Sequence, residues 1–213
     1  MNRTEFVPMK TTVAVLLLTF AATARAQTEP INADRPGLAD SSAVVGRGTF
    51  QLETGFERDD DEDSVPTLFR YGLTDAFELR VETDWDDAAL GFKYKFRDEP
   101  SLGVIASIGR DSSNLRLAAD YDLGERWSLN PNVGVQHEDD VTSAVAALTV
   151  QYNVSEKSNV FVDSALQAST IVVDAGAAWI LGRDTQLDVS AGWRVHGDGA
   201  PDHFWSAGIS RRF

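Results

Sequence analysis

The 213-residue chain has no cysteine, only three histidines and two methionines. Without cysteine no disulfide can staple an exported fold, and thiolate metal sites and thiol nucleophiles are excluded. The histidines, His137, His196 and His203, are too dispersed to suggest a zinc cluster. No glycine-rich phosphate loop leads from a strand into a helix. The longest apolar run, Val13 to Ala22, is shorter than the roughly 20 residues that a membrane-spanning helix needs. Bases are scarce too: 19 Lys and Arg stand against 33 Asp and Glu, a net charge of −14. So acidic a chain does not bind nucleic acid through the phosphate backbone.

What is present begins with MKTTVAVLLLTFAATARA, from Met9. Lys10, the apolar run, and small residues at Ala24 and Ala26 have the three-part layout of a secretory signal peptide over residues 1–26. Cleavage after Ala26 removes three bases (Arg3, Lys10, Arg25) and one acid (Glu5), which moves the net charge from −14 to −16. The remainder is long enough for one domain.

The stretch 27–47, rich in Pro, Gly, Ser and Asp, reads as an extended N-terminal segment. Residues 48–213 then alternate apolar and polar, a period that places the two sets on opposite faces of a strand. Phe50, Leu52, Thr54 and Phe56 open the pattern, and Trp205, Ala207, Ile209 and Phe213 close it. Twelve strands of about 8–11 residues are expected, a number and length suited to crossing a membrane obliquely. The ninth, NVFVDSALQ, has the weakest alternation because Phe161 falls on the polar set.

A soluble sandwich and a membrane barrel share this alternation, so the height of the aromatics along the strands decides between them. Tyr71, Phe77, Tyr94, Phe96, Tyr121, Trp127, Tyr152, Trp179 and Phe213 lie near one set of tight turns. Phe56, Trp85, Trp193 and Trp205 lie near the other ends. Two aromatic girdles around an aliphatic band are what the two membrane–water interfaces select. The expected fold is therefore all-β: a transmembrane antiparallel up-and-down β-barrel in outer-membrane lipid. Its termini lie at the tight-turn, periplasmic end. The opposite connections, such as RDDDEDSVP at 58–66, are acidic. The run Asp59 to Asp63 lacks the ligand spacing and turn glycine of a calcium loop and reads as solvated charge.

The inward set carries acids and bases together, among them Glu53, Arg70, Arg80, Glu82, Lys93, Arg116, Asp120 and Arg194. Such a mixture predicts cross-strand ion pairs around a narrow polar lumen, either open or occupied by residues 27–47. Asp34 and Arg35 of that segment join these as candidate lumen or solute-binding residues. No catalytic residue, metal site or cofactor is expected.

DRPGLADSSAVVGRGTFQLETGFE, the RYGLTDAFELRVE hairpin, GFKYKF, ADYDLGERWSL and APDHFWSAGISRRF together resemble the outer-membrane transporter proteins named for the meta-pathway of phenol degradation. The resemblance covers about residues 32–213 and implies passage of small, often aromatic, solutes across the Gram-negative outer membrane. The terminal WSAGISRRF, ending on Phe213, resembles the assembly signal read by the barrel-assembly machinery. A lipid-modifying barrel enzyme and a structural or adhesive barrel are the alternative classes. Against the first, no outward serine lies at the height of His203. Against the second, the loops offer little apolar surface.

Overall fold

A computed structural model describes residues 29–59, 62–197 and 203–213. The expected signal peptide, Asp60 and Asp61 of the acidic run, and most of the loop after His196 lie outside the described residues.

Alternation becomes thirteen strands, with no helix among the described residues. They are β1 (Phe50–Asp59), β2 (Glu62–Ser64), β3 (Thr67–Gly72), β4 (Phe77–Thr83), β5 (Ala88–Asp98), β6 (Ser101–Ile108) and β7 (Ser112–Asp122). There follow β8 (Trp127–Glu138), β9 (Val141–Ser155), β10 (Ser158–Gln167), β11 (Thr170–Leu181), β12 (Thr185–His196) and β13 (His203–Arg212). Sequence neighbours pair antiparallel except β2 and β3, which both pair with β1. β13 then pairs with β1, from Gln51↔Arg212 to Asp59↔Phe204, and closes the sheet.

The thirteenth strand does not change the barrel's count. β1 pairs with β3 at Thr54↔Thr67 and with β2 at Glu57↔Ser64, so one register runs through both. They form one barrel strand interrupted at Val65–Pro66, because proline has no N–H to give to a ladder. The ladder is kept by the Gly55 N–H, which donates to the Pro66 carbonyl at 3.2 Å. The result is a closed twelve-stranded barrel. Several strands exceed the expected length, β9 reaching 15 residues.

Burial is inverted relative to a soluble protein. Leu90 is 64 % exposed and Ile108 67 %, while Glu53, Glu78 and Lys93 are fully buried. Closure gives every strand but the short β2 a partner on both edges among the described residues, and the apolar face is left to lipid while polar side chains pack inside. Aromatic contacts mark both ends. Phe50 and Phe213 (5.8 Å), Phe77 and Phe92 (5.5 Å) and Trp127 and Tyr152 (4.8 Å) lie toward the turn end, and Phe56 and Trp205 (5.3 Å) toward the loop end. The terminal Phe213 N–H also donates to the Phe50 carbonyl at 2.8 Å, so the last residue takes part in closure. Arg211, which interrupts the final alternation, sits over the Phe213 ring at 5.9 Å.

The irregular strand also has a physical account. Phe161 points into the barrel, 6 % exposed, directly opposite Gly176 on β11. A Cβ at position 176 would lie 2.3 Å from the Phe161 ring and 2.4 Å from the Val189 carbonyl oxygen. The large residue takes the space that the missing side chain leaves. Gly176→Ala is therefore expected to destabilise the barrel by about 1–3 kcal/mol, the usual cost of overpacking. Urea unfolding in lipid vesicles measures it; unchanged stability would contradict this packing.

Candidate functional site

The segment 29–48 has neither helix nor strand, so its backbone N–H groups need partners from elsewhere. They find them on the inward side chains of the barrel. The Ile31 N–H donates to the Arg183 carbonyl at the turn end (2.8 Å). Asp34 and Arg35 N–H groups both donate to Glu53 Oε2 (2.9 Å each). Leu38 N–H donates to Asp163 Oδ2 (2.8 Å) and Ser42 N–H to Asp120 Oδ2 (2.9 Å). On the way back Val45 N–H donates to Glu78 Oε2 (2.8 Å) and Gly48 N–H to the Gly72 carbonyl (2.8 Å). The segment thus rises from the turn end into the lumen, turns near Gly37 and Leu38, and descends into β1.

Its centre is an ionic lattice on β1, β3, β4 and β5. Arg70 donates from Nε and Nη2 to Glu78 (2.8 and 3.0 Å) and from Nη1 to Glu53 (2.9 Å). Arg80 and Lys93 project beside it, so the buried part of this wall holds three cations and two carboxylates, with the partly exposed Glu82 at its edge. Asp34 supplies the missing negative charge: its carboxylate lies 2.6 Å from Arg80 Nη1, 2.8 Å from Lys93 Nζ and 3.4 Å from Arg70 Nη1. Lys93 also donates to the Ser41 carbonyl at 2.6 Å, and Arg70 to the Ala43 carbonyl at 3.0 Å. Burial would raise the Asp34 carboxyl's pKa. The charges of Arg70, Lys93 and Arg80 outweigh that and hold it well below the usual carboxylate range.

Small residues make the fit. Arg35 lies across Gly55 and Gly208, and a Cβ at these positions would meet its guanidinium at 2.3 and 2.4 Å respectively. Its Nη2 donates to Ser206 Oγ at 2.7 Å and pairs with Asp188 at 3.4 Å. At Gly72 a Cβ would lie 1.7 Å from the Gly46 carbonyl oxygen, so only glycine admits the returning segment there.

The sequence candidates fall into two groups. Asp34, Arg35, Glu53, Arg70, Arg80 and Lys93 meet in or beside the lattice. Glu82 bonds Arg80 at 3.3 Å from its edge. Arg116 reaches the segment through Asp40 (3.5 Å), and Asp120 holds Ser41 and Ser42. Arg194 stands apart, paired with Asp59 toward the loop end. Asp40 and the neutral Gln51 and Asn132 also hold the segment: Gln51 Nε2 donates to the Asn32 carbonyl (2.9 Å), and Asn132 exchanges bonds with the Asp40 backbone (3.0 and 2.9 Å). The last two are not among the sequence candidates, and the inward parity they share with the charged ones is the signal that could have found them. Among the described residues no group of three or more His, Asp or Glu side chains could hold a metal.

Two spaces remain in the lumen. A vestibule of about 750 Å³ has Asp34 to Leu38 as its floor and opens between the loop-end connections. Beside Gly37 and Leu38, a second chamber of about 300 Å³ is walled by Val145, Ala147, Ala165 and Val172 among others.

No protein-family model matches the chain, and no curated protein matches it in sequence. Solved structures do match. The KdgM porin in complex with disordered oligogalacturonate is 11 % identical over 76 % of this chain and 99 % of its own, with a TM-score of 0.63. The KdgM porin on its own gives 10 % identity over the same shares, with a TM-score of 0.60. An outer membrane channel from Pseudomonas putida F1 is 14 % identical over 90 % of this chain and 100 % of its own, with a TM-score of 0.59. The likeness is one of fold, that of outer-membrane β-barrels.

Removing one partner of a buried ion pair costs about 3–5 kcal/mol. Asp34→Asn is therefore expected to speed amide hydrogen exchange across residues 31–45 roughly tenfold or more. In the wild type, a carboxyl with a depressed folded pKa stabilises fully above its unfolded value, near about 3.9. It loses that contribution only as pH falls through the folded value. Protection of 31–45 should hold from neutral pH down to about 4 and fail only in stronger acid. Equal protection in Asp34→Asn, or loss already at neutral pH, would contradict the charge lock.

Proposed function

We propose that the protein is an outer-membrane channel for small solutes whose lumen is constricted by its own N-terminal segment. The observation that carries this reading is the vestibule ending on residues 34–38. A barrel serving only as a scaffold has no need of so large a polar space closed by a loop instead of by inward side chains. Twelve strands leave more interior than a side-chain-filled eight-stranded barrel and less than an open porin. The fold likeness to barrels described as porins and as a channel supports the same reading.

The resemblance to the meta-pathway family of phenol degradation places small aromatic compounds among the expected solutes. The chamber walled by Val145, Ala147, Ala165 and Val172 supports that expectation, since it offers a ring an apolar surface beside an otherwise charged lumen. Export through the signal peptide and insertion by the barrel-assembly machinery, with Phe213 as the terminal mark, complete the proposal. An enzymatic reading has no comparable support: His137 lies 2.9 Å from Thr142 Oγ1 in an exposed hairpin and is not among the residues that line the vestibule.

Planar-bilayer recording tests the reading. The refolded protein is expected to give small, reproducible steps, and deletion of residues 27–47 is expected to enlarge them several-fold. Silence from a correctly folded barrel would overturn the channel; equal conductance after deletion would overturn the constriction.

A further inference from the structure

We infer that the vestibule selects for cations, so that the permeant solutes are cationic or neutral and anionic ones are held out. This inference rests on the channel reading and names the solute class of that same passage.

The charges around the vestibule are unequal in number and in freedom. Ten carboxylates line it, against four arginines. Three of the arginines are already engaged. Arg80 is bound by Asp34, Asp40 and Glu82, Arg116 by Asp40, and Arg35 by Asp188. The fourth, Arg110, is exposed at the rim. On the acid side, Asp84, Asp87, Asp111 and Asp139 have no ion-pair partner among the described residues. They come from three successive loop-end connections: 84–87, 109–111 and 139–140. They therefore stand along one arc of the entrance and are not gathered at one point.

The field of these groups is fixed. Asp84 accepts the backbone N–H groups of Asp86 (3.0 Å) and Asp87 (2.9 Å), which holds its carboxyl below the usual range and keeps it charged in mildly acidic solution. Glu138 accepts from Gln136 Nε2 at 2.8 Å. The turn end is more balanced: three of its five connections carry both signs, Glu125 with Arg126, Glu156 with Lys157, and Arg183 with Asp184, while the other two carry one acid each, Asp75 and Glu99. One sign of charge around a mouth with low-dielectric walls concentrates counter-ions there, and rings of Asp and Glu select cations.

The test is the reversal potential of the full-length protein in a planar bilayer under a tenfold KCl gradient. Potassium is expected to be favoured over chloride by about tenfold, the low end of what a focused field gives. Under bi-ionic conditions benzylammonium should pass more readily than benzoate of similar size. In the variant combining Asp84→Asn, Asp87→Asn, Asp111→Asn and Asp139→Asn the ratio should fall toward one. The single Asp111→Asn and Asp139→Asn variants should give intermediate ratios and keep the test open if the combined variant folds poorly. A conducting wild type with no preference, or with preference for chloride, would overturn this inference and leave the channel standing, as would an undiminished ratio in the variants. A silent bilayer would remove the channel, and the inference with it.

Discussion

Three cations on adjacent strands, Arg70, Arg80 and Lys93, face into a closed barrel whose wall offers them two fully buried carboxylates, Glu53 and Glu78, and the partly exposed Glu82 at the edge of Arg80. An unpaired charge in so confined an interior is costly. Asp34 resolves the imbalance from outside the sheet, within 3.4 Å of all three. The position of the whole N-terminal segment follows. Once Asp34 is held there, the adjacent N–H groups fall onto Glu53, the turn reaches Asp163, and the return passes Glu78 and the gap at Gly72. The same carboxylates that neutralise the wall's arginines also satisfy the backbone of a chain with no secondary structure of its own.

The lumen that results has two unlike sides. The β1–β5 side is occupied by the ionic lattice and carries the segment. The outer part of the β9–β11 side is lined by small apolar residues and leaves a chamber beside Leu38. In the proposed channel, a solute path would run between a charged surface and a chamber wall of small apolar residues interspersed with Arg116, Asn132 and Gln167, below a mouth of unpaired carboxylates. On that reading, charge would act on a solute at the entrance, and apolar contact would become available only deeper in.

Much of this fold was legible in the sequence because a strand's side-chain period is two and a barrel in lipid keeps its faces strictly apart. The twelve strands, the closing partnership of the first and last, and the height-sorted aromatics all follow from that rule. Phe161 escaped it because its place depends on a volume exchange with Gly176 on the neighbouring strand, and pattern within one strand carries no such information. Parity also identified most members of the ionic lattice without showing which of them meet. It gives the face on which a residue lies but not its height against strands dozens of residues away, and Asp34 bonds Arg80 and Lys93 across 46 and 59 positions. Gln51 and Asn132 were missed as site residues because charge was the signal sought, and their amides serve a backbone whose path the sequence did not show.

The absence of cysteine makes the central claim directly measurable. A Cβ at Gly37 would lie 3.6 Å from Thr149 Oγ1, about where the sulfur of a cysteine at 149 would sit, so the two positions are near enough for a cross-linking test. In the protein carrying Gly37→Cys and Thr149→Cys, mild oxidation of the folded barrel should join the segment to β9 as an intramolecular disulfide, seen as a mobility shift that reduction reverses. Two thiols that stay free and react readily with a polar maleimide in the folded barrel would show that the segment does not lie in the lumen.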